Sequence, residues 1–172
     1  MSHQPAQNPV IDGFEFAAAG QAQQGSLQIG EFPRLRDLLA SDAGEVAYEV
    51  RGLRDGRGRP SLRIRVSGTL ELRCQRCLEP MRLQIDEEEL LVLAASQAEI
   101  DADPADPEAP DRVLAGKEMA LRELVEDQLI LALPFAPRHA ECAPAKRGGD
   151  RQGQEDRHSP FAGLKGLVRG RH

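Results

Sequence analysis

The chain has 172 residues, a net charge of −6, 40% apolar and 3% aromatic residues and no tryptophan, so one domain must build its core from Leu, Val and Ile. No window approaches the ~18 uninterrupted apolar residues of a membrane span, and no basic stretch followed by an apolar run opens the sequence. Three cysteines without a secretory leader point to a reducing cytoplasm, where thiols are free, catalytic or metal-bound.

Residues 1–11 are polar and read as a loose N-terminus. Asp12 is a helix cap for Phe14–Ala19, with Gly20 as the stop. Gln24–Ile29 reads as a short strand, and Phe32–Ser41 as a helix of two to three turns with Leu35, Leu38 and Leu39 on one side. Glu45–Leu53 is a strand and Asp55–Pro60 a turn. Three segments then alternate with period two. Leu62, Ile64 and Val66 oppose Arg63 and Arg65; Leu70 and Leu72 oppose Glu71 and Arg73; Met81, Leu83 and Ile85 oppose Arg82, Gln84 and Asp86. This is the pattern of an antiparallel sheet with one buried face.

The run after Asp86 extends the last strand. Residues 96–115 then lack periodicity and read as a mobile acidic loop. Gly116–Phe135 has mostly helical spacing at Met119, Leu121, Leu124, Val125 and Leu129, and Pro134 stops it. Residues 143–172 form a flexible basic tail. Its segment 160–168 spaces Phe161, Leu164 and Val168 on one helical face, a candidate docking element weakened by Gly163 and Gly166. The expected fold is α+β. A single body over 12–142 carries a curved antiparallel sheet, a short N-terminal helix pair and a longer helix near its end.

Charge is segregated along the chain. Nine Arg and three acids between Arg51 and Arg82 give +6; ten acids and no base between Asp86 and Asp111 give −10; residues 138–172 carry +4. Arg51, Arg63, Arg65, Arg73, Arg76 and Arg82 are therefore candidate contacts to an RNA backbone, since guanidinium groups pair bidentately with phosphate. The competing reading is a solvated face neutralised by the acidic loop folding over it. No aromatic lies on the Arg side, which argues against base stacking there.

Cys74 and Cys77 form a CxxC between two strands, with no helix behind it to lower a redox thiol. A zinc site needs two more ligands, and His139 with Cys142 would complete a Cys3His set. Four protein ligands would make it a structural staple. The spacing equally allows small residues in a tight connection with no metal. No Gly-rich phosphate loop, HExxH or paired carboxylate supports an enzyme.

Val66–Met81, Leu121–Cys142 and Pro160–Leu167 together resemble the bacterial YceD family of large ribosomal RNA subunit accumulation proteins. Cys74, Arg76, Cys77, Leu78, Pro134, His139 and Cys142 carry the resemblance, while Ser159 stands where the family often has Asn. The resemblance implies a cytoplasmic, non-enzymatic factor for synthesis, processing or stability of 23S rRNA. Its expected partner is large-subunit rRNA or a pre-ribosomal particle, with no membrane and no small-molecule substrate. An adaptor for ribosomal proteins or a ribonuclease, without RNA contact, is the alternative.

Overall fold

The computed structural model describes residues 9–102 and 109–144. It is an α+β body: a mostly antiparallel, open sheet carries helices on one face. Phe161, Leu164 and Val168 lie outside the described residues, as does the centre of the acidic stretch, 103–108.

The sheet centres on two long strands, β5 (Pro60–Arg73) and β6 (Pro80–Ala94), paired antiparallel from Ser61↔Val92 to Arg73↔Pro80. β4 (Glu45–Arg54) flanks β5 and β2 (Ala22–Gln28) flanks β4, both antiparallel. The two segments Ser61–Gly68 and Thr69–Cys74, which alternate separately in the sequence, are one strand up to Arg73. Leu62, Ile64, Val66, Leu70 and Leu72 keep a single phase and are all buried.

Helix α1 (Gly13–Ala18) is capped as its sequence predicts: Asp12 Oδ1 accepts from Glu15 N at 3.0 Å. It lies against β4 at Gly52, where an added Cβ would overlap the Phe16 carbonyl and the Ala17 Cα. Only glycine permits this backbone-to-backbone approach. Helix α4 (Leu121–Ala132) packs on β5 and β6 through Leu121, Val125 and Leu129. Ile29, Phe32 and Leu35 close the core from the side.

Four expectations change. The helix expected over 32–41 ends as α2 (Pro33–Arg36), and β3 (Leu39–Ser41) pairs with Leu72 and Glu71. β4 stops pairing at Gly68, so β5 runs on with open hydrogen-bonding groups, and β3 satisfies them. Val10–Ile11, expected to be loose, form β1 against β8 (Met119–Ala120), and α4 therefore starts at Leu121 rather than near Gly116. The stretch 96–115, expected as one loop, contains α3 (Gln97–Asp101), capped by Ser96, and β7 (Arg112–Leu114), parallel to β6. Two- and three-residue strands are too short to show a period, which is why the sequence hides them.

One carboxylate ties the N-terminal third to α4. Glu126, its side chain 3% exposed, accepts from Arg34 N at 2.7 Å, Leu35 N at 3.1 Å and Arg34 Nε at 3.0 Å. It thus satisfies amides at the start of α2 that no intrahelical carbonyl can reach. Glu126→Ala leaves those buried donors unpaired and is expected to destabilise the fold by about 2–4 kcal/mol, read as a lowered urea midpoint. An unchanged midpoint would show that water replaces the carboxylate at no cost.

Candidate metal centre and arginine face

The alternation of β5 delivers Cys74 to the buried side, and Cys74 is fully buried. The connection to β6 is a tight knuckle: Cys74 N donates to Glu79 O at 3.0 Å and Leu78 N to Cys74 O at 2.9 Å. Closing it so tightly puts Leu78 in the left-handed region at φ 65°, where a Cβ is costly.

Past α4, Pro134 and Pro137 turn the chain back onto the knuckle, and Gln75 N donates to Pro137 O at 2.8 Å. That contact brings Cys74, Cys77, His139 and Cys142 together, with all four ligand atoms within 4.8 Å of one another. Cys74 Sγ and Cys142 Sγ are 3.8 Å apart, far beyond a disulfide bond. Cys77 Sγ and His139 Nδ1 are 3.3 Å apart. A tetrahedral zinc with metal–sulfur bonds of about 2.3 Å and metal–nitrogen bonds of about 2.0–2.1 Å puts neighbouring ligands roughly 3.5–3.8 Å apart. The group can therefore bind a metal ion, and the spacing suits zinc.

The surroundings also suit a metal. His139 Nε2 lies 3.1 Å from the Pro80 carbonyl, which only a protonated Nε2 can satisfy, so the Nδ1 lone pair faces the thiols. Burial alone pushes the Cys74 thiol up. The backbone N–H groups of Cys77, Arg76 and His139 and the Cys77 side chain outweigh it, and Cys74 falls to about 5. Arg76 N stands 3.4 Å from that sulfur. Cys142 is shifted the other way, by burial and by its position beside Cys74 and Cys77. A thiolate already favoured at Cys74 is the form a cation takes.

The solvent side of the sheet is not a uniform basic platform. The strand registers place Arg51, Arg63, Arg65, Arg73 and Arg82 there, but also Glu45, Glu49, Glu71, Asp86 and Glu88. Arg65 makes two hydrogen bonds to Asp86, both 2.9 Å; Arg63 meets Glu88 at 3.6 Å and Arg51 meets Glu49 at 3.1 Å. The Arg65 hydrogen bond is the first cause holding the Asp86 carboxyl below its ordinary range, and it raises Arg65 in turn. The pairs remain in water: Arg65 and Asp86 are 53% and 57% exposed, so solvent screens them and they hold the face together only weakly.

Among the described residues, the neutralising carboxylates thus sit on β4 and β6 within the register. Arg59 is taken up by its own turn, bonded to Asp55 at 2.7 Å. None of the ion pairs among the described residues involves Arg73, Arg76 or Arg82, and all three are exposed beside the knuckle. Exposed Arg138, next to His139, joins them. Sequence reading missed that residue because it counted charge by segment.

Two further features adjoin this end of the sheet. A cleft of about 590 Å³ lies between the knuckle and the end of α4, with Phe135 fully exposed on its lining. On the helix-bearing side, Glu87 and Glu89 occupy core-facing positions of β6 and, with Asp111 and the Gln128, Leu131 and Ala132 side of α4, line an open acidic hollow.

An α+β domain whose central hairpin is clasped to the end of α4 by a Cys3His group is the class of protein defined here. The chain belongs to the YceD family: the family model for "Large ribosomal RNA subunit accumulation protein YceD" matches residues 62–168, well over half of it. That family is one of ribosome-biogenesis factors, tied by its description to the RNA of the large ribosomal subunit. No curated protein and no solved structure matches. No helix among the described residues is long and apolar enough to cross a membrane.

The match begins at Leu62 and so takes in nearly all of β5, the knuckle and all four candidate ligands. Leu78→Gly relieves the left-handed strain and is expected to leave the fold intact while raising stability by up to about 1 kcal/mol, measured by denaturant unfolding. A loss of stability would show that the exposed leucine side chain contributes more than its backbone costs.

Proposed function

We propose that this protein supports large-subunit rRNA accumulation by binding rRNA, or a pre-ribosomal particle, through the basic residues around the metal-closed knuckle. The carrying observation is the contrast within the arginine set. Arg51, Arg63 and Arg65 already have carboxylates, so phosphate must displace those partners. Arg73, Arg76 and Arg82 are exposed and outside the ion pairs of the described residues. Cys74, Cys77, His139 and Cys142 hold one structural zinc, with no open position for a substrate and a purely architectural role. No catalytic step is assigned to any residue.

The zinc is tested by elemental analysis of protein purified without chelator. About one zinc per chain is expected. Cys142→Ser should lose most of it and lower the melting temperature by on the order of 10 °C. Metal-free protein of equal stability would remove the staple.

The RNA reading is tested by titrating a large-subunit rRNA transcript. Arg76→Glu with Arg82→Glu should weaken binding ~10-fold or more and flatten the salt dependence by about one to two ion equivalents. Arg63→Glu with Arg65→Glu should cost less. Wild-type affinity in the first variant would remove direct binding through the knuckle.

One observation favours a second reading. The acidic hollow of Glu87, Glu89 and Asp111 suits a basic ribosomal protein, as an adaptor would need. Crosslinking in cells separates the two, because an adaptor would yield protein crosslinks without RNA.

A further inference from the structure

The cleft between the knuckle and the end of α4 combines an apolar floor with a polar rim. Leu39, Leu72 and Ile130 form the floor; Phe135, Arg73 and Gln75 stand on the lining above it. At about 590 Å³ the cleft is within the ~300–1,000 Å³ of small-ligand sites. Three chemistries converge there. Phe135 follows the helix-stopping Pro134 and is held out in water with its ring fully exposed. Arg73, at the last position of β5, is exposed and takes part in none of the ion pairs among the described residues. Gln75 Nε2 donates to Arg73 O at 3.2 Å, which leaves its Oε1 as an acceptor, and the Asp37 carboxylate is a second acceptor on the lining.

From this juxtaposition we infer that the cleft takes one unpaired nucleotide of single-stranded RNA, its base stacked on Phe135 and its phosphate held by Arg73. A stacking ring, a cation for the backbone and two acceptors for base N–H groups are what recognition of a splayed-out base uses. An apolar peptide fits less well, because it would cover Arg73 without supplying an anion. The neighbouring Arg76 and Arg82 extend the cationic path along which flanking phosphates would run. This inference rests on the RNA reading above and adds to it the kind of RNA: single-stranded, read by stacking, at a site away from the neutral centre of the sheet.

The test uses the full zinc-loaded chain and a single-stranded hexanucleotide carrying one 2-aminopurine, with an RNA duplex as control. Binding should quench the 2-aminopurine emission. Phe135→Leu should abolish the quench and weaken the single strand roughly tenfold, within the about 5- to 150-fold that one stacked base contributes. It should leave the salt slope and melting temperature unchanged, and Phe135→Tyr should restore binding. Arg73→Gln should instead reduce the salt slope by about 0.7.

If Phe135→Leu binds and quenches as the wild type does, while Arg76→Glu with Arg82→Glu loses affinity, the cleft has another occupant. The inference then falls and the RNA reading stands. If the duplex loses as much affinity as the single strand on Phe135→Leu, stacking is not the cause and the inference also falls. If the wild type binds neither RNA, both fall together.

Discussion

The two-residue alternation of β5, unbroken from Leu62 to Cys74, is the constraint from which the rest follows. Side chains of a strand point to opposite faces in turn, so one phase decides everything along it. Leu62, Ile64, Val66, Leu70 and Leu72 enter the core on that phase, and Cys74 follows them to the buried side as the strand ends. Arg63, Arg65 and Arg73 are on the other phase by necessity. A one-residue slip would carry the thiol into solvent and three guanidinium groups into the apolar interior. Core, candidate metal ligand and basic residues are thus fixed by a single register, which β4 and β6 enforce from both sides.

The Cys3His cluster turns that register into tertiary structure. Cys74 and Cys77 come from the hairpin connection, and His139 and Cys142 from the segment after α4. Cys77 and His139 are 62 positions apart in sequence. Packing of α4 on β5 and β6 already closes most of that loop, which leaves the segment after Ala132 to be ordered at roughly 1–2 kcal/mol per residue. One backbone hydrogen bond, Gln75 N to Pro137 O, contributes about 1 kcal/mol and cannot hold the segment alone. A structural zinc, with an apparent binding free energy of roughly 10–16 kcal/mol, can. Glu126 performs a comparable service from the middle of α4 by capping α2.

Much of this was legible in the residues. Strict alternation exposed β5 and β6, Glu45–Leu53 read as the strand that is β4, Asp12 marked the start of α1, and the spacing of CQRC and RHAEC pointed to one candidate ligand set. What escaped is local in origin. β1, β3, β7 and β8 are two or three residues long and exist only because a neighbour offers unpaired backbone, so no window of the sequence contains their cause. The arginine face misled for a related reason. Counting charge by segment assigned Asp86 and Glu88 to an acidic block, whereas antiparallel pairing folds that block directly against Arg65 and Arg63. Phe135 was overlooked because a lone aromatic after a proline carries no pattern; only the fold shows that it shares a cleft with Arg73 and Gln75.

The order of the ligands along the chain also bears on synthesis. Translation produces Cys74 and Cys77 first, and the pair has to wait for His139 and Cys142, which arrive only when the whole sheet and α4 have been made. On the proposed zinc reading, an ion captured early is held by half its final donors until then. A cell short of that ion would therefore accumulate chains with a finished sheet and an unfastened C-terminal end.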